Sequence, residues 1–236
     1  MKRKCGVVYL MILWTVCFAG VTSAYAFTGE YISEYGDDMA VFASFKSSDI
    51  NYESDDTDAG DIDRKMFSVG LSKAINPKTK VFGGFNYVYD GELGGLDADL
   101  DAGYSIAVAG SYVLWRFYEY TIQGYGQFNY IFDEAFKDSR SDTDFSFKGY
   151  EFIFGMMGDY HIQPRFHVFV AFEIVPFSDF TMDVSSDVIR EDWSVEREVW
   201  IGLKGGLICD FSKWFIKGEI NVGSERAIGI LSGMKF

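Results

Sequence analysis

From residue 38 onward, apolar and polar side chains alternate in segment after segment. Tyr120, Ile122, Gly124, Gly126, Phe128, Tyr130 and Phe132 share one parity, and Thr121, Gln123, Tyr125, Gln127 and Asn129 share the other. Successive side chains of a β-strand point to opposite faces, so this stretch reads as a strand with one apolar and one mixed polar face. Tyr104, Ile106, Val108, Tyr112 and Leu114 alternate with Ser105, Ala107, Ala109 and Ser111 in the same way. Phe166, Val168, Val170, Phe172 and Ile174 continue the theme. The pattern predicts strands near 38–52, 63–75, 80–90, 102–115, 119–132, 144–160, 165–177, 194–210, 213–222 and 226–236.

The connections fall into two kinds that alternate along the chain. Asn76-Pro77-Lys78-Thr79, Arg116-Phe117-Tyr118, Ile162-Gln163-Pro164 and Phe211-Ser212 are short, whereas 53–62, 91–101, 133–143 and 178–193 are long and acidic. Gly223-Ser224-Glu225 is a short connection on the long-loop side. Strands with an apolar outer face and a polar inner face suit a lipid environment, where every backbone N–H and C=O must be satisfied and only helices and closed barrels span. No helix-length apolar run follows the N-terminal segment, so the expectation is an all-β, antiparallel up-and-down transmembrane barrel of about ten strands, with eight or twelve as alternatives. A soluble barrel would bury the Gln, Asn and Glu residues of the polar face without partners, at a cost.

The N-terminus fits export. Lys2, Arg3 and Lys4 precede an apolar stretch from Val7 to about Ala19, followed by Ala24-Tyr25-Ala26, an A-x-A cleavage pattern. Residues 1–26 therefore read as a signal peptide, 27–37 as a short periplasmic segment and 38–236 as the barrel. The apolar stretch is short for a membrane anchor, and Thr15-Val16 before Cys17 do not make a lipoprotein signal. Cys5 and Cys17 leave with the signal, and Cys209 reads as a small apolar wall residue.

Removal of the signal, with its three positive charges and no acid, takes the net charge from −14 to −17. That balance excludes nucleic acid, whose binding rests on Lys and Arg neutralising phosphates. Aromatic residues make up 18% of the chain, as expected of a barrel with interfacial girdles. Trp115, Phe117, Tyr160, Phe211, Trp214 and Phe236 would form the periplasmic girdle, and Tyr89, Phe132 and Trp193 the outer one. Signal, aromatic-rich alternating strands and the terminal Phe236, whose face carries Met234, Ile230 and Ile228, together resemble the small Gram-negative outer-membrane β-barrel proteins. Ser232 departs from that pattern. The resemblance implies an outer-membrane location with extracellular loops and periplasmic termini. It also implies partnership with lipid, lipopolysaccharide and the barrel assembly machinery, which reads a terminal aromatic such as Phe236.

The inner face carries chemistry of its own. Lys46, Glu151, Asp159, His167, Glu173, Glu196, Glu198, Lys204, Lys217 and Glu219 are expected to point inward, with Phe42, Phe82, Tyr125, Phe169, Trp200 and Phe215 adding bulk. Closing the last-but-one hairpin on Asp210 and Lys213 places Lys204 opposite Glu219. The bland reading of these charges is a structural network, and the sharper one a gate. So many aromatics leave no room for a wide channel. No cofactor is implied.

Catalytic signatures are absent. His161 and His167 are the chain's two histidines, and both lie beside the 161–164 turn. Omptin-like proteases resemble ten-stranded barrels too, but their acidic pairs and histidine sit at the outer rim. His-x-Ser, expected of a serine hydrolase in this class, does not occur. His167 is expected to lie across from Asp159 as a structural pair. Asp55, Asp56, Asp58, Asp61 and Asp63 form a weak calcium candidate, since Gly60 stands where an EF-hand loop needs its third ligand. The favoured reading is therefore a non-enzymatic structural or surface-interaction barrel, with a filled lumen and acidic loops that hold divalent cations loosely. The alternative is a narrow cation-preferring channel, and a hydrolase comes last.

Overall fold

The computed structural model describes residues 39–54, 58–94, 98–138, 143–186, 190–211 and 213–236. The expected signal, the 27–37 segment, Asp55 and Asp56 lie outside these residues. The described strands are β1 (Met39–Ser54), β2 (Asp58–Asn76), β3 (Thr79–Leu93), β4 (Ala98–Phe117), β5 (Tyr120–Asp138), β6 (Thr143–Gln163), β7 (Phe166–Ser185), β8 (Arg190–Arg197), β9 (Ile201–Asp210), β10 (Trp214–Gly223) and β11 (Arg226–Lys235). All pairings are antiparallel. At the short-turn end the order runs β1 to β7, then β9, β10 and β11, and β11 returns to β1, giving a closed ten-stranded barrel. The Phe236 N–H donates to the Met39 carbonyl at 2.8 Å and completes the seam.

The predicted eighth strand, 194–210, is two elements. β9 to β11 are 10 residues each, the length that spans a bilayer as tilted strands, about 9–11 residues. β4 and β7 have 20 residues and β6 has 21, about twice that length. They project beyond the ends of β9 to β11, and there β8 takes over their place. Phe180–Ser185 of β7 pair with Val195–Arg190 of β8, and Tyr52–Ser54 of β1 pair with Arg197–Val195. The ten-stranded barrel thus narrows into an eight-stranded closed extension of β1 to β8. Residues 198–200 make the step: the Glu198 N–H donates to the Asn51 carbonyl and the Val175 N–H to the Trp200 carbonyl. The polarity of the wall changes at the same level. Around the ten-stranded part an exposed apolar belt includes Val41, Leu71, Phe85, Val108, Phe154, Val170, Leu203, Ile216 and Ile230.

Most of the expected long acidic loops are strand. Apart from the buried Glu134, their described acids lie towards the outer face, and their apolar residues point inward. Ile50, Tyr52, Ile62, Leu93, Leu100, Ile131, Phe136, Phe145, Phe147, Phe180, Met182, Val184 and Val195 form one buried apolar cluster inside the extension. Bulges make this possible. Between Ile131 and Glu134 β5 gains residues relative to β6, so the inward parity passes from odd to even numbers. β4 shifts between Leu100 and Ala102, and β7 between Ile174 and Phe177. An extra residue reverses the facing of everything beyond it.

Candidate functional site

The buried inward side chains fall into three layers, two in the ten-stranded barrel and one in the extension. Nearest the short turns, Phe42, Phe82, Tyr125, Phe169 and Phe215 point inward and are buried. Four of these rings lie over a glycine on the neighbouring strand: Phe42 over Gly70, Tyr125 over Gly155, Phe169 over Gly206 and Phe215 over Gly233. A Cβ at any of those glycines would collide with the ring, so glycine is what lets each ring lie flat on the wall. Trp200, expected inward, is 52% exposed, because the step at 198–200 turns it out. Its Nε1–H donates to the Arg197 carbonyl at 2.7 Å.

Above the rings lies a charge network. Lys204 Nζ meets Glu173 Oε2 at 2.6 Å, Lys217 meets Glu219 at 2.8 Å, Lys46 meets Glu225 at 2.9 Å and Arg197 Nε meets Glu151 at 2.7 Å. All eight side chains are at least nine-tenths buried. Asn221 Nδ2 donates to Glu173 at 3.0 Å and to Glu225 at 3.2 Å, tying the pairs together. Ser224 Oγ donates to Glu173 at 3.1 Å, and Asn129 Nδ2 to Glu151 at 2.7 Å. These four cations balance these four anions, so the network adds nothing to the chain's acidic excess. Burial of such groups is tolerable only with partners and hydrogen bonds. The β10–β11 turn contributes Ser224 and Glu225 from beneath β8. Gly223 enters it at φ 108°, a left-handed conformation that favours glycine.

The register differs from the expected one. Lys204 faces Asn221 and Glu219 faces Gly206, because the turn closes with the Phe211 N–H on the Trp214 carbonyl and shifts the strands by two positions. Lys204 takes Glu173 as its partner, and Glu219 takes Lys217 on its own strand. Glu196 and Glu198 are exposed, not inward; β8 has the opposite phase from β9, and Arg197 occupies the inner face. Arg197 and Glu225 were legible as charges but not as lumen residues, one lying beside the misjudged step and the other in a turn.

The third layer is the extension core. At its heart Arg64 Nε meets Glu134 Oε2 at 2.5 Å, both side chains with 0% exposure. The Arg64 guanidinium also lies 5.1 Å from the Phe147 ring centre and 5.7 Å from that of Tyr52. Phe147 and Phe180 stack at 5.0 Å. Trp193, expected in the outer girdle, packs against this cluster, since it shares the inward parity of Val195 and Arg197. Trp115, Tyr160, Phe211, Trp214 and Phe236 are exposed on the outside at the short-turn end, and Tyr89 and Phe132 at the other edge of the belt. Cys209 is half-buried in the wall.

Outside the extension the strands are acidic. Asp49 of β1 faces Asp63 of β2, which faces Glu92 of β3. Asp61 and Asp63 are exposed on the same strand face, while the Asp58 side chain lies outside the described residues. Partial burial, then the Glu92 and Asp61 charges, raise the Asp63 pKa from its ordinary value, with Lys65 opposing. Asp49 is raised by burial and by Asp61 and Asp63, against Arg226. A carboxyl whose folded pKa is raised contributes stability below its unfolded pKa and loses it as pH rises through the folded value. At neutral pH this cluster is therefore a net cost. Asp63→Asn is expected to raise the thermal midpoint at neutral pH, and the gain should shrink towards acid, where Asp63 is already protonated. Thermal unfolding across pH checks this.

At the mouth nearest the short turns, Asp159, His161 and His167 come together. Asp159 Oδ2 lies 3.2 Å from His161 Nε2 and 3.3 Å from His167 Nδ1, so the expected Asp159–His167 pair is joined by the second histidine.

No protein-family model matches the chain, and no curated protein matches it in sequence. The architecture, however, is shared with solved structures. The translocator domain of the autotransporter NalP from Neisseria meningitidis is similar, with TM-score 0.54 and 10% identity, over 86% of this chain and 90% of that one. An outer membrane channel from Pseudomonas putida F1 is similar, with TM-score 0.50 and 8% identity, over 90% and 100%. The fold is that of the outer-membrane β-barrels. At such identities the likeness carries the fold and no role.

Proposed function

We propose that this chain is an outer-membrane barrel that does not conduct and that presents its eight-stranded extension at the cell surface as a structural or interaction module. The observation that carries this reading is the burial of inward side chains at every level, from the aromatic layer through the charge network to the extension core. A polar lumen held by balanced ion pairs keeps the wall rigid without lining a passage. The apolar belt supplies the lipid-facing surface, and its exposed aromatics supply the interfacial anchors. On the extension, exposed pairs such as Lys148 with Asp183 at 2.6 Å contribute little stability. The acidic cluster of Asp49, Asp61 and Asp63 suits divalent cations bridging to lipopolysaccharide phosphates. A second reading, a narrow cation-preferring channel, draws on the same acids, which would concentrate cations at the mouth.

Location and orientation are tested in intact bacteria. In a Cys209→Ser background, cysteines replace Asp183 on the extension or Tyr118 in a short turn. A membrane-impermeant thiol reagent should label position 183 in intact cells and position 118 only after permeabilisation. The reverse pattern, or labelling of neither in intact cells, contradicts the proposal.

A further inference from the structure

We infer that Asp159, His161 and His167 form a binding site for a divalent first-row transition metal of the zinc type at the short-turn mouth of the barrel. His161 and His167 are directly paired across β6 and β7, just before and after the turn that joins these strands. Period-two alternation puts Asp159 on the same inner face as His161. One ligand atom from each residue lies within 4.8 Å of the others. The two measured edges, 3.2 and 3.3 Å, match the ligand–ligand edge of about 3.3 Å that a tetrahedral ion with bonds of about 2.0–2.1 Å requires. The imidazole rings sit 3.9 Å apart, centre to centre, close enough to share one ion. A second observation points the same way. Asp159 Oδ1 is buried and has no hydrogen-bond partner, in a side chain with 8% exposure. A buried carboxylate oxygen left without a donor is costly, and a cation held by the carboxylate offsets that cost. Two imidazoles and one carboxylate suit zinc, cobalt, nickel or copper and not calcium or magnesium, which prefer all-oxygen shells. Three protein ligands leave a fourth position for water or a solute.

The test uses the folded full-length mature protein in detergent, stripped with a chelator. Titration calorimetry with Zn2+ should give one site per chain, and Co2+ should develop the visible absorption of a tetrahedral complex. His167→Ala and His161→Gln should each weaken Zn2+ by about a hundredfold or more, the upper end of what even an outer-shell change costs, and should abolish the Co2+ spectrum. Asp159→Asn should do the same. His161→Gln, nearest the mouth, guards against misfolding of the more buried His167 variant, and gel mobility without boiling checks each fold. Absence of Zn2+ binding overturns the inference. So does binding of unchanged affinity in folded His161→Gln and Asp159→Asn, which would mark adventitious metal elsewhere.

Discussion

Arg197→Ala is expected to open the barrel and destabilise it at once. Arg197 holds three elements together from β8. Its Nε meets Glu151 of β6 at 2.7 Å, and its Nη1 donates to the Ser224 carbonyl of the β10–β11 turn at 2.9 Å. It stands where the ten-stranded barrel becomes the eight-stranded extension, beside residues 198–200, which carry the chain from β8 of the extension to β9 of the barrel. Removing it leaves the Glu151 carboxylate, with 1% side-chain exposure, without its cation. Breaking one side of a buried pair costs about 3–5 kcal/mol. Water drawn in to solvate Glu151 would connect the charge network to the step at 198–200, whose residues are already exposed. Denaturant unfolding followed by Trp fluorescence should show the loss of stability, and planar-bilayer recordings should show conductance that the parent lacks. Arg197→Lys keeps the charge but not the two-pronged reach, and should recover only part of the stability.

Arg64→Ala is expected to unfold the extension while leaving the belt closed. Arg64 and Glu134 are fully buried, and the guanidinium fills the space between Tyr52 and Phe147. Truncation removes the charge partner of Glu134 and the packing of the long side chain together, so the loss should again be about 3–5 kcal/mol. Its site is local, in strands that pair only with one another above the belt. Amide hydrogen exchange should therefore rise in β8 and in the outer halves of β4 to β7, with the short-turn halves still protected. The double change Arg64→Met with Glu134→Leu replaces the pair by apolar volume and should restore most of the stability, as such replacements often do. Uniform loss of protection along all strands would show the extension and belt to be one cooperative unit.

The barrel was legible in the sequence because its signal is local. Strict alternation over β4, β5 and β7 assigned faces correctly for Ser105, Gln127, Phe169 and their neighbours, and the turns at Pro77 and Pro164 fixed the antiparallel order. The extension was hidden by its acids. Asp179-Phe180-Thr181-Met182-Asp183-Val184 alternates as cleanly as any strand, but its place inside a stretch rich in Asp makes it read as loop. The bulges compounded this, since they change the inward parity partway along β4, β5 and β7 and make the apolar run look unrelated to the polar one before it. A single register error displaced the charge network. Closing the β9–β10 hairpin on Asp210 and Lys213 matches Lys204 to Glu219, whereas the observed register is shifted by two positions and its partner Glu173 lies on β7, the strand paired with β9 because β8 is spent on the extension. No local pattern announces a strand that leaves one closure to complete another.

Single-channel recording of the refolded protein in a planar bilayer asks whether the interior is closed by its own side chains. With folding verified by gel mobility, the current should stay flat at every salt concentration, while the Arg197→Ala variant in the same membranes gives discrete steps. Stable, cation-selective steps from the unaltered protein would contradict this closure and establish the narrow channel instead.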